Sequence, residues 1–234
     1  MSHFFLRSKH YLLFIPLLLP TLFSWIIQGT YGQKLQELTN EMGPGADLSF
    51  SNLNLADYNA YFYLFVGLTL LAMIVQVGWY RSVGQDLKRY LPDHVALKDS
   101  TFKVTLAVQV IATLAMVGFF WYGWNWIGSN FANWVDNGGV PDDQSKDFVL
   151  SFLKVFGLIA LLALVGFAAQ IYNCYFVGKT LKSIEEGQPV KGAELVGYVL
   201  LSYFLVVGIW IMQPKVNRLV ETGSMDKEGD DGVW

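Results

Sequence analysis

Five apolar stretches, each close to the length of a bilayer crossing and none containing Asp or Glu, limit what this chain can fold into. They cover residues 11–28, 60–80, 104–126, 148–178 and 195–212. A helix needs about 20 apolar residues to cross roughly 30 Å of hydrocarbon. Hydrocarbon offers the backbone no hydrogen-bond partner, so a spanning segment of this kind must be helical. Lys154 is the one charged side chain inside the stretches, and near the start of the fourth it can snorkel to the interface. The expectation is an all-α, polytopic transmembrane helical bundle of five spans. A single transmembrane domain would occupy residues 1–213, with a short polar tail over 214–234. Only 15% of the residues are charged, against about a quarter in soluble domains.

Lys and Arg counts set the orientation, because the basic loops of membrane proteins stay in the cytoplasm. Five spans with a cytoplasmic N-terminus put ten Lys and Arg residues inside and two, Lys34 and Lys146, outside. The tail, with Lys215, Arg218 and Lys227, would then lie outside. The expected location is the inner (plasma) membrane. The first stretch is longer than a typical signal-peptide core and no small-residue cleavage pattern follows it, so it reads as a retained helix. Pro16 and Pro20 each remove a helical donor and predict a kink there. Between the spans, QKLQELTNEM (33–42) reads as a short helix ended by Gly43-Pro44-Gly45. The basic segment 81–100 reads as a helix lying at the membrane interface. KTLKSIEEG extends the fourth span and stops at Gly187.

Polar side chains within spans usually face other helices. Gln76, Gln109, Gln170 and Asn173 all fall in the cytoplasmic half, and the three glutamines lie at similar depth, roughly 7–9 Å from the midplane. Two readings stand: interhelical bonding, or a polar pocket for a headgroup or small solute. Ala163 and Gly166 belong to a heptad-spaced stripe on span four that would let a neighbouring helix approach. Trp121, Trp124, Trp126 and Trp134 crowd the outer end of span three, as interfacial anchors or as a docking surface.

No catalytic constellation is readable. The three histidines lie outside the spans, so a haem within the membrane has no paired axial ligands. There is no H-E-x-x-H motif and no pair of intramembrane carboxylates. Cys174 is alone, which excludes a disulfide or a thiol redox pair. No metal ligand set, cofactor or nucleic-acid partner is expected. Asp86, Asp93 and His94, with Arg81, Lys88 and Arg89 nearby, leave an enzyme of the cytoplasmic face as a remote third reading.

Near the C-terminus, YFVGKTLKSIEEG and GIWIMQPKVNRL resemble a family of uncharacterised bacterial integral-membrane proteins over residues 175–219, about a fifth of the chain. The resemblance implies a membrane protein and brings no activity or binding residue. In that ending, Pro214 is expected to interrupt the helix, and Lys215 and Arg218 to meet lipid phosphates. The leading expectation is a non-catalytic accessory or scaffold subunit that binds another membrane protein or itself. The alternative is a lipid or small-solute binding protein or transporter using the amide layer. Membrane lipids are expected around either.

Overall fold

The computed structural model describes residues 2–42, 56–136 and 142–225. The fold is all-α, with no strand among the described residues. Its helices are α1 (Ser2–Arg7), α2 (His10–Met42), α3 (Ala56–Gln85), α4 (Ser100–Asp136), α5 (Asp142–Glu186), α6 (Val196–Tyr203) and α7 (Leu205–Thr222). Four apolar runs long enough to cross a membrane lie in α2, in α3 with the 3-10 turn after it, in α4 and in α5: His10–Thr30, Asn59–Tyr90, Ser100–Trp126 and Leu153–Glu186. They coincide with the first four expected spans. Only 6% of the most apolar window is buried within the chain in α2, α3 and α5, and 17% in α4. Trp25, Ile111 and Leu164 are each about two-thirds exposed. A soluble monomer does not display apolar surface on that scale; hydrocarbon is the solvent that accommodates it. The chain is a multi-pass helical membrane protein.

The fifth stretch departs from a straight span. It is helical, but α6 and α7 meet at a bend of 113°. Phe204 forms the elbow, outside helical geometry at φ −85°, ψ 58°. Its N–H donates to the Leu200 carbonyl at 2.8 Å, and its own carbonyl accepts from Val207 and Gly208. One residue thus ends α6 and starts α7, satisfying backbone groups that a break would otherwise strand. No proline stands at the elbow; close packing holds it. A Cβ on Gly208 would collide with the Leu201 carbonyl oxygen, and one on Gly178 of α5 would lie 3.1 Å from the Val199 nitrogen of α6. The arms meet again where Lys215 of α7 donates to the Tyr198 hydroxyl of α6 at 3.2 Å.

Pro214 does not interrupt the helix: α7 runs through it to Thr222. Proline removes one helical donor, while Gln213, Val216 and Leu219, all buried, fasten the helix on both sides of it. Helix α2 likewise continues through Pro16 and Pro20, and residues 33–42 prolong it instead of forming a separate helix. Gly43-Pro44-Gly45 lies outside the described residues.

The expected interfacial helix over 81–100 is absent. α3 continues to Gln85, a short 3-10 turn covers Asp86–Tyr90, and non-helical chain leads to α4. Leu87 and Val95 are buried, and Leu97 packs against the chain's own core. These apolar side chains therefore face protein rather than lipid. Lys88 closes the loop by donating to the Leu97 carbonyl at 3.0 Å and pairing with Asp99 at 3.5 Å. The Lys103 ammonium, 2.9 Å away, is the main reason the Asp99 carboxyl is held below its ordinary value. α5 ends at Glu186 as expected, with Gly187 at φ +64°, a conformation glycine adopts at little cost.

Packing divides the chain into two units. The first comprises Met1–Leu19, Leu70–Ile111 and Val165–Trp234; the second comprises Pro20–Thr69 and Ala112–Leu164. The first unit holds a core built on Trp79 and Val83 of α3, Leu87 of the 3-10 turn that follows it, Phe102 of α4, Val177 and Leu181 of α5, and Ile209, Met212 and Val216 of α7. The i, i+4 spacing on α3 and the i, i+3, i+7 spacing on α7 put each set on one helix face.

Replacing Gly208 with Val is expected to destabilise the protein by about 1–3 kcal/mol, because the obstacle is backbone and cannot swing aside. Thermal unfolding in detergent would register this as a lower midpoint than for the wild type. A control Gly157→Ala, at a glycine with no atom within 4 Å of the added carbon, should leave the midpoint unchanged or slightly raised.

Candidate functional site

The first unit brings the expected amides together. The Thr105 hydroxyl of α4 donates to Asn173 Oδ1 of α5 at 2.7 Å. Asn173 Nδ2 donates to Gln109 Oε1 at 2.6 Å, and Gln109 Nε2 to Gln170 Oε1. Gln170 Nε2 donates to the Tyr80 hydroxyl at 2.7 Å, which donates to the Ser202 carbonyl at 2.8 Å. Gln76 reaches the same hydroxyl at 3.4 Å. The result is a one-way chain of donors and acceptors through α4, α5, α3 and α6. Gln109, Gln170 and Asn173 each have the carbonyl and the amino group engaged, so their orientation is fixed by their neighbours, and such chains strengthen cooperatively.

Local sequence explains the placement. Gln170 and Asn173 are three residues apart on α5, and Thr105 and Gln109 four apart on α4, so each pair shares a helix face. Gln76 and Tyr80 do the same on α3. Ser202 lies in the last turn of α6, where helical carbonyls lack i+4 partners; the Tyr80 hydroxyl supplies one. Cys174, fully buried, sits 3.3 Å from that hydroxyl.

A second polar cluster was not anticipated. Gln213 of α7, fully buried, accepts from the Trp79 indole at 2.7 Å. Its amino group donates to the carbonyls of Phe5 and Ser8 at 2.8 and 3.1 Å. Asn217, one turn on, donates to the Ser8 carbonyl at 3.2 Å. These amides cap the end of α1. The signal was present in QPKVNRL, whose Gln and Asn stand four apart, but nothing in the sequence marks α1 as their target.

Two basic residues near the C-terminus are tied up as well. Lys215 bonds Glu185 at 2.6 Å, and Arg218 donates to the Met225 carbonyl at 3.1 Å, so each has a protein partner where lipid phosphate was expected. His10 packs against the Trp210 ring, 4.2 Å between centroids. Among the described residues no group of three His, Cys, Asp or Glu is placed to hold a metal ion.

The remaining candidates divide. Ala163 is exposed and Gly166 half-buried, so the stripe on α5 is covered by its own chain only towards Asn173 and Val177, both fully buried. In the second unit, Trp124 donates to Asn59 Oδ1 at 2.7 Å and stacks on Phe62, 5.0 Å apart and nearly parallel. Trp121 sits 4.7 Å from the Tyr63 ring and remains 46% exposed. Trp126 is half-buried, and the side chain of Trp134 lies outside the described residues. Two of the four tryptophans thus bind α4 to the start of α3.

Comparison with protein-family models, with curated proteins and with solved structures found no match to this chain.

Removing the middle of the amide chain should cost more than removing its end. Gln109→Leu leaves both Gln170 and Asn173 short of a partner, at about 1–3 kcal/mol for each orphaned group; Thr105→Val removes a terminal donor, worth about 0.6–2 kcal/mol. Unfolding in detergent should rank the variants in that order. A double-mutant cycle between Gln109 and Asn173 should show coupling, and strict additivity would contradict a connected chain.

Proposed function

We propose that this protein is a non-catalytic accessory or scaffold subunit of the inner membrane that associates with another membrane protein or with a second copy of itself. The amide chain carries this reading. Gln109, Gln170 and Asn173 each bond other helices of the same chain through both ends of the amide, which supports a lock between helices rather than a site for a transported solute. It contains no carboxylate or histidine, the usual proton carriers of intramembrane pathways. The exposed small residue Ala163, amid exposed Leu161 and Leu164, supports a helix-packing face on α5. The resemblance of residues 175–219 to bacterial integral-membrane proteins fits a bacterial setting.

In this reading the elbow between α6 and α7 enters and leaves the membrane on one side. The arms are tied at Lys215 and Tyr198, and Lys215 is also paired with Glu185 at the end of α5. The residues after α7 then share the cytoplasmic side with the N-terminus and the two basic connections, and Lys215 and Arg218 join the positive-inside bias.

Counting subunits by single-molecule photobleaching in lipid nanodiscs, alongside co-purification in mild detergent, tests the scaffold role. A defined assembly is expected, and Ala163→Leu should weaken it about tenfold, the equivalent of about 1.4 kcal/mol. A monomer with no stoichiometric companion would refute the reading. For the elbow, a cysteine placed at Ser224 in a Cys174→Ser background should resist membrane-impermeant thiol reagents in intact cells and react in inverted vesicles. The opposite pattern would make the bent pair a full crossing.

A further inference from the structure

We propose that a groove in the first unit, formed by α1, α3 and α4, binds one phosphatidylethanolamine molecule, its phosphate on Arg81 and its ammonium on Asp86. The groove measures about 650 Å³, within the range of small-molecule sites. Its walls are apolar along most of their length, with Phe4 from α1, Ile74 and Val77 from α3 and Val110 from α4. One end is polar, where Arg81 and Asp86 line it. Met73, at the apolar end, and Asp86 are separated by about 20 Å of helix. One leaflet of hydrocarbon is about 15 Å deep, so an acyl chain fits the apolar part and a headgroup the remainder. Phe5 rests directly on the backbone at Gly78, where any Cβ would strike its ring. That contact seats α1 as a wall of the groove.

The two charges supply the specificity. Arg81 is exposed and has no ion pair among the described residues. Guanidinium matches phosphate in a two-bond geometry. Asp86 presents the opposite need: its Oδ2 is buried without a hydrogen-bond partner, a costly condition for a carboxylate oxygen. A ligand carrying an anion and, a few bonds away, a cationic N–H donor satisfies both residues. Ethanolamine phospholipids have that order of charges. Choline phospholipids carry the same charges, but their trimethylated nitrogen has no N–H to offer Asp86. This site is separate from the amide chain and independent of the scaffold reading.

The test uses the full chain, purified in mild detergent and equilibrated with equal amounts of phosphatidylethanolamine and phosphatidylcholine of identical acyl chains, then examined by native mass spectrometry. A single retained phospholipid is expected, with ethanolamine favoured over choline roughly tenfold, as one charge-assisted hydrogen bond allows. Arg81→Gln should lower retention of both lipids roughly tenfold. Asp86→Asn should bring the two lipids to near-equal retention. Ile74→Trp, which fills the apolar groove from an exposed position, should abolish retention. Thermal unfolding of Arg81→Gln, at a surface position, should match the wild type, so its effect reads binding rather than folding. Equal retention of the two lipids by the wild type, or unchanged retention in Arg81→Gln and Ile74→Trp, would mean ordinary annular lipid and overturn the proposal. Displacement by soluble glycerophosphoethanolamine at concentrations matching the lipid would overturn it too, since the apolar groove would then contribute nothing.

Discussion

The hydrogen-bonded chain from Thr105 to the Ser202 carbonyl is the interaction on which the first unit's arrangement depends. Inside a bilayer, an apolar side chain gains little by leaving lipid for protein, since both are hydrocarbon. Burial of Val83, Val177 or Ile209 therefore shapes the contact surface without supplying the drive it would in water. An amide behaves differently, because lipid cannot satisfy it. Gln109, Gln170 and Asn173 find partners only where α3, α4 and α5 sit together, so their bonding selects one set of helix rotations from many that pack equally well.

The same constraint reaches the last two helices. A break in an apolar helix exposes carbonyls and N–H groups that hydrocarbon punishes, and such breaks persist only where protein covers them. At the elbow, Phe204 satisfies its neighbours' backbone groups and Tyr80 satisfies Ser202. Gly208 allows the Leu201 carbonyl to come close. The amide chain thus has two jobs: it links three long helices, and its final donor makes the bend tolerable. Gln213 extends this logic to the N-terminal helix, whose terminal carbonyls it covers together with Asn217.

Charge follows a similar division. Lys88, Lys103, Lys215 and Arg218, which the sequence places at the membrane surface, bond carboxylates or carbonyls of their own chain. Arg81 does not, and it stands at the mouth of an apolar groove beside a carboxylate oxygen with no donor. Part of the basic face is thus neutralised internally, through Lys88, Lys103, Lys182 and Lys215, while Arg81 has no ion pair among the described residues.

The sequence by itself determined the solvent of this protein and the identity of its long helices. Runs such as 148–178 are too apolar and too long to be anything but membrane helices, and that depends on composition and length alone. The amide layer was legible for the same reason: Gln76, Gln109, Gln170 and Asn173 stand out against apolar neighbours at similar depth. The tertiary structure decided what those residues touch. Tyr80 and Gln213 look like ordinary interfacial and helix-end residues until α5, α6 and α1 are placed against them. The elbow was illegible, since 195–212 holds no charge and no proline. Its bend comes from a carbonyl–glycine contact between residues seven apart, a distance no local pattern encodes. Residues 81–100 show the converse, where an amphipathic pattern records that one side is buried without recording whether lipid or protein buries it.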